Sequence, residues 1–161
     1  RDANHVWNVW RFARQELSSL KRRGAQKVNK KFLTLKEIEG VIVHDVYLKK
    51  EVARRLEAFE FLDDVHKMAE YVGGELMDPP PFRCDWMLKK VFFPEVECYF
   101  LYHHKDEELP ASLQVLFSGE KVKEFKGDDS AVLAIATINH MIRFIKHSHP
   151  GKSLPEICNI V

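Results

Sequence analysis

The sequence predicts an α+β fold, in which N-terminal helices, a small antiparallel sheet and a buried C-terminal helix share one core. Apolar residues recur at helical spacing in the first half of the chain and again over 131–147, whereas they alternate with polar residues between 96 and 117. The chain has 161 residues, of which 45% are apolar and 30% are charged. This length suits one domain, and the composition excludes disordered, collagen-like and disulfide-scaffold proteins.

The first predicted element is a helix over 2–23, whose apolar positions recur at steps of three and four and which ends at Gly24. Residues 1–33 hold nine basic and two acidic residues, a net charge of +7, whereas residues 34–161 have a net charge of −6. Opposite net charges of this size allow two alternatives. The basic segment 1–33 can contact the acidic segment 34–161, or it can contact an anionic partner. We therefore expect a basic helical arm over 1–33 and a single α+β domain over 34–161.

Helical patterns continue after this arm. Thr34 and Glu37 have capping-box spacing for a short helix, and the β-branched residues around 41–43 favour a brief strand or a buried segment. Asp45 then stands where it can cap a long helical region with an apolar stripe that extends to Val72.

Breaks in the pattern predict where these helices end. The pair Asp63-Asp64 indicates a boundary between two helices, and Gly73-Gly74 ends the second one. The prolines of 79–81 favour extended chain, because each removes a backbone donor.

Three strands are predicted at 86–93, 96–102 and 113–117, with a polar turn over 104–108. A helix over 131–147 follows, with Asp128 to Ser130 as its candidate caps. Its apolar positions cover too much of its circumference for a surface helix, so we expect it to lie at the centre of the core. The remaining tail is expected to be extended or irregular.

The cysteines indicate a reducing, cytoplasmic compartment. Cys84, Cys98 and Cys158 are odd in number and widely spaced, so they encode neither a disulfide framework nor a zinc knuckle. No apolar run approaches the ~18–20 residues of a membrane span, and we expect no membrane partner.

The basic arm is the first candidate site. Clustered lysine and arginine side chains bind phosphates or acidic protein surfaces through contacts that weaken with salt. The alternative is a solvated basic helix that docks on the acidic domain. The candidate partner-binding residues are Arg11, Arg14, Lys21, Arg22, Arg23, Lys27, Lys30 and Lys31.

The hairpin between the second and third predicted strands is the second candidate site. Imidazole and carboxylate groups that meet at one hairpin can hold a transition metal. Because adjacent strand residues point to opposite faces, the two histidines share one ion only where the turn begins between them. The alternative is an ordinary solvated turn. The candidate ligands are His103, His104, Asp106, Glu107 and Cys98.

No convergent catalytic set stands out in the sequence. His44-Asp45 is the one place where a general base and an adjacent carboxylate are suggested, and no nucleophile motif accompanies it. Glycine-rich nucleotide motifs are absent from the sequence as well. We therefore expect no catalytic residues and no cofactor, with a transition metal as the alternative.

Short motifs resemble a known family. Gly73-Gly74, the acidic turn Lys105 to Ala111 and the strand end Leu116-Phe117 occur in an order similar to that of a prokaryotic family described only as a domain of unknown function. The resemblance covers about 45–147. It implies a small cytoplasmic α+β domain, and it brings no catalytic residues.

Together these features predict a non-enzymatic binding or assembly module. Its basic face would contact an anionic partner, either a protein or a nucleic acid, and self-association is also open. The alternative is a metal-dependent enzyme, or a metal or cofactor carrier, with a site near the His103 to Glu107 hairpin.

Overall fold

A computed structural model of the chain describes residues 30–159. It confirms the α+β class: helices lie against one face of a four-stranded antiparallel sheet with the order β1-β2-β3-β4. The strands are β1 (Glu75–Leu76), β2 (Trp86–Phe93), β3 (Val96–His103) and β4 (Ser112–Ser118). The α-helices are α1 (Leu35–Glu39), α2 (Val43–Ala53), α3 (Val65–Tyr71), α4 (Gly127–Ser148) and α5 (Glu156–Asn159), and 3-10 helices span Leu56–Phe61 and Val122–Glu124.

The sheet is buried on both faces along its central strand. Cys98, Phe100 and Tyr102 of β3 point toward the helices, whereas Tyr99 and Leu101 point to the opposite face. The opposite face is covered in part by Phe32, whose ring centroid lies 5.0 Å from that of Tyr99. The alternating pattern predicted a half-buried strand, and the structure instead buries the middle of β3 on both sides.

Helix α4 is the central core element, as its apolar width predicts. Ile138, Met141 and Ile142 are fully buried. The helix begins at Gly127, four residues before the predicted start, so the candidate caps Asp128 and Asp129 lie inside its first turn. Acidic residues there still interact favourably with the positive end of the helix dipole.

Several local signals are confirmed. Thr34 and Glu37 form the expected capping box at α1, and Asp64 caps α3 by accepting the Lys67 N–H. Gly73 follows α3 with a φ of +63°, a conformation that favours glycine. The two-residue strand β1 and the short helix α5 were not predicted, because segments this short contain no periodicity.

The predictions for 41–43 and for Asp45 are wrong. These β-branched residues are exposed, and α2 begins at Val43 with Ile42 at its N-cap position. Asp45 lies within the first turn, buried, and pairs with Lys49 at 2.7 Å. Local propensity misled here because Val and Ile are only mildly unfavourable in a helix, and tertiary contacts override such a preference.

Within residues 30–159, no helix is both long enough and apolar enough to cross a membrane.

Candidate peptide-binding groove

A groove of about 430 Å³ runs between helix α2 and strand β4. Leu48 and Val52 of α2 form one wall, and Leu113 and Val115 of β4 form the other. Thr34 lies among its lining residues, at the point where the chain enters α1. The groove is mainly apolar along these walls, and its size is typical of ligand sites, which span about 300–1,000 Å³.

The groove residues of α2 lie on one face of the helix because of their spacing. Asp45, Leu48, Lys49 and Val52 are separated by three, one and three residues, so they share one face of the helix. Leu48 and Val52 are buried at the base of this face. Asp45 and Lys49 form an ion pair that adds polar groups to the lining.

Strand β4 lies at the edge of the sheet, and its pairing with Leu33 shows how its backbone is oriented. The Leu33 N–H donates to the Phe117 carbonyl, and the Phe117 N–H donates to the Leu33 carbonyl, both at 2.8 Å. The backbone groups of Phe117 therefore point away from β3. Because this direction alternates along an antiparallel strand, those of Leu113 and Val115 point the same way, toward the outer edge.

The pairing stops after one bridge because the capping box turns the chain into helix α1. The side chain of Thr34 accepts the Glu37 N–H, and that of Glu37 accepts the Thr34 N–H. Within the described range 30–159, Leu33 is the only residue bridged to the outer edge of β4. The edge at Leu113 and Val115 thus remains available as a template for another strand.

This arrangement can bind an extended peptide. Backbone hydrogen bonds to a sheet edge provide affinity, and alternate side chains of the added strand provide specificity. Leu113 and Val115 point to the helix side of the sheet, so peptide residues directly opposite them would face the groove.

The structure describes only two of the eight predicted partner-binding residues. Lys30 and Lys31 are exposed. The others, Arg11, Arg14, Lys21, Arg22, Arg23 and Lys27, lie outside the described residues, so the arm and its role stay predictions.

The hairpin histidines are separated from the cysteine that was predicted to join them. Cys98 is fully buried on the helix side of β3, and burial raises the pKa of its thiol well above the ordinary value. His103 lies five residues further along the strand, which places its side chain on the opposite face. The structure therefore does not bring Cys98 together with the hairpin.

Two residues of the hairpin, His104 and Asp106, make local hydrogen bonds. The His104 backbone N–H donates to the Asp85 carboxylate at 2.6 Å. Asp106 accepts the N–H groups of Leu109 and Glu108, and these bonds lower the pKa of its exposed carboxyl. No three His, Cys, Asp or Glu side chains between 30 and 159 are arranged to hold a metal ion. The metal alternative rests on the sequence alone.

His44 pairs with Glu39 and not with the adjacent Asp45. Its Nδ1 lies 2.9 Å from a Glu39 carboxylate oxygen, and the same carboxylate accepts the Gly127 N–H at 3.1 Å. Glu39 thereby satisfies one of the free N–H groups at the start of α4 and joins α1, α2 and α4. No pattern in the sequence signals this contact, because Glu39 and Gly127 are 88 residues apart.

Sequence reasoning identified the groove residues as core positions but not as a site. The helical stripe predicted Leu48 and Val52 as apolar contacts, and alternation predicted Leu113 and Val115 as inward strand positions. The strand order that leaves β4 at an edge is a property of the assembled sheet, and no local signal reveals it.

Comparison with known proteins identifies a family. No curated protein and no solved structure matches this chain. The model of one family, DUF3786, described as a domain of unknown function, matches residues 19–140. The match starts before the segment that showed the resemblance, so it includes the second half of the basic arm. Since it covers more than half of the sequence, the chain belongs to the DUF3786 family.

Proposed function

We propose that the protein is a non-enzymatic binding module that takes an extended segment of a partner protein into the groove as an added strand. The observation that carries this proposal is the outward-facing backbone of Leu113 and Val115, beside an apolar groove. Leu33 already pairs with the same edge in antiparallel orientation, and the partner would continue that pairing where the chain turns away.

The proposal also predicts the partner's side chains. Residues opposite Leu113 and Val115 face Leu48 and Val52, so they are expected to be apolar. The residue between them lies opposite the exposed Gln114, on the other face of the sheet, and is expected to be polar. The preferred segment is therefore apolar-polar-apolar, aligned antiparallel to β4.

Changing Val115 to proline is expected to weaken peptide binding by about tenfold or more, because proline removes the outward N–H and its ring obstructs a neighbouring strand. The ladder to β3 does not use this N–H, so the fold is retained. The measurement is selection of short random peptides on the wild-type chain, followed by fluorescence anisotropy of the enriched peptides with both proteins.

Val115→Ala is the matched control, because it shortens the same side chain but keeps the N–H. It is expected to bind more tightly than Val115→Pro. Thermal unfolding of both variants verifies that they are folded. Enrichment of no alternating peptide, or equal binding by wild type and Val115→Pro, would contradict the proposal.

We also propose that the basic arm contacts an anionic partner, on the evidence of the charge difference between residues 1–33 and 34–161. We expect salt-sensitive binding to two probes, duplex DNA and polyglutamate, to be lost in the variant that changes four residues to Glu: Arg14, Lys21, Arg22 and Arg23. Titrations at low and high salt measure this effect, and binding to one probe alone identifies the partner's class. Unchanged affinity and salt dependence for the variant would contradict the role of the arm.

A further inference from the structure

Helix α2 carries an exposed apolar surface on the side away from the groove. Among the described residues, eleven large apolar side chains are exposed, and five of them lie between positions 41 and 47. Exposed apolar residues are usually scattered, and a contiguous group indicates an interaction site. We call this group the outer face of α2: Val41, Ile42, Val43, Val46 and Tyr47.

The acidic residues and two of the valines of α2 are not placed as in a helix whose outer side faces only water. Its two acidic residues, Asp45 and Glu51, are buried, whereas Val43 is 67% exposed and Val46 is 55% exposed. Burial of a carboxylate requires a charged partner, and a helix selected for solubility alone would place valine inside and acid outside. The outer face therefore has the composition of a surface that another molecule covers.

Charge distinguishes the partners that fit this surface. One side of α2 holds Val43, Val46, Tyr47 and Lys50, so the apolar surface ends in an exposed cation, Lys50. Arg54 follows on the same side and already donates to the Glu51 carboxylate at 2.8 Å. Both acids of the helix point inward. A second copy of this helix would offer no carboxylate to Lys50, whereas an acidic partner would.

The side chains themselves favour a protein over a lipid surface. Four of the five residues on the outer face are valine or isoleucine, which are short and branched. Helices that lie on membranes typically use Trp, Phe and Leu on their apolar side, because these reach into the acyl region. Short branched residues instead pack well against the ridges of another helix.

We propose that the outer face of α2 docks an amphipathic, acidic helix of a partner protein. The apolar side of that helix would pack on Val46 and Tyr47, and a carboxylate at its edge would pair with Lys50. Groove residues Leu48 and Val52 lie on the opposite side of α2, so this surface is independent of the proposed strand site.

The test uses two synthetic helical peptides of about five turns each, with leucines at heptad spacing. One peptide carries glutamates on its remaining positions, and the other carries lysines at the same positions. Fluorescence anisotropy with the full chain is expected to show binding of the acidic peptide only. Val46→Ser with Tyr47→Ser is expected to weaken this binding by about tenfold, and Lys50→Glu is expected to shift preference toward the basic peptide.

Val132→Ser is the matched control, because Val132 is equally exposed but lies on α4. It is expected to leave binding unchanged. The groove variant Val115→Pro should also bind the acidic helix normally, which separates failure of this proposal from failure of the strand site. Equal binding of both peptides, or no effect of the α2 variants, would overturn the proposal. So would preferential binding to phosphatidylglycerol vesicles, or a dimer in sedimentation that Val46→Ser dissociates.

Discussion

Replacing Gly119 with alanine is expected to destabilise the fold by about 3–5 kcal/mol. Gly119 follows β4 with a φ of +125°, and a Cβ atom there would lie 1.9 Å from the Glu95 carbonyl oxygen. That oxygen belongs to the backbone of the turn between β2 and β3, so a rotamer change cannot relieve the overlap. Urea unfolding of wild type and variant measures the loss of free energy.

Two other glycines separate the contributions to this effect. Gly40 has a φ of +75° with open space around its Cβ position, so Gly40→Ala tests the left-handed backbone alone, at about 1 kcal/mol. Gly151 has open space as well and no left-handed φ, so Gly151→Ala is expected to be nearly neutral. If Gly119→Ala unfolded at the same urea concentration as Gly151→Ala, the packing described around Glu95 would be wrong.

Replacing Arg55 with methionine is expected to destabilise the protein by about 3 kcal/mol, because the buried Glu51 loses its main partner and keeps only Arg54, whose guanidinium donates to it at 2.8 Å. Arg55 is only 5% exposed. Its guanidinium donates to the Glu51 carboxylate at 2.6 Å and to the Asn139 side-chain oxygen at 2.8 Å, which connects α2 to α4. Urea unfolding at neutral pH measures the effect.

A double variant at positions 51 and 55 isolates the interaction energy between these two residues. Glu51→Gln with Arg55→Met is expected to be more stable than Arg55→Met, because the buried carboxylate that lost its main partner is replaced by a neutral amide. A double-mutant cycle without coupling between the two positions would contradict this account.

Lowering the pH should reduce the difference in unfolding free energy between wild type and Arg55→Met. The hydrogen bond from Arg55 is the main cause that lowers the pKa of Glu51 in the folded protein. A carboxyl group whose pKa is lower in the folded than in the unfolded protein stabilises the fold at pH values above its unfolded-state pKa. This contribution disappears as the pH falls through the folded-state pKa. Removal of Arg55 removes the contribution, so the two unfolding free energies are expected to converge on acidification.

The predictions that succeeded depend on neighbours in sequence. Thr34 and Glu37 are three residues apart and cap the same turn, so their types alone indicate the start of α1. The end of α3 just before Gly73 and the presence of strand β3 are indicated by equally local signals. Where the same reasoning failed, at Asp45, a residue suited to a cap was drawn into the helix and buried against Lys49.

Residue types and their spacing were sufficient for the α+β class, the three long strands and the buried helix α4, because hydrophobic periodicity records which side of each element avoids water. The assembled fold was needed for everything that depends on distant pairs: the exposed edge of β4, the exposed valines of α2 and the contact of Glu39 with Gly127. Periodicity states that a face is apolar, but not whether the domain or another molecule covers it. For this reason the two candidate docking surfaces appeared only when the neighbours of β4 and α2 were known.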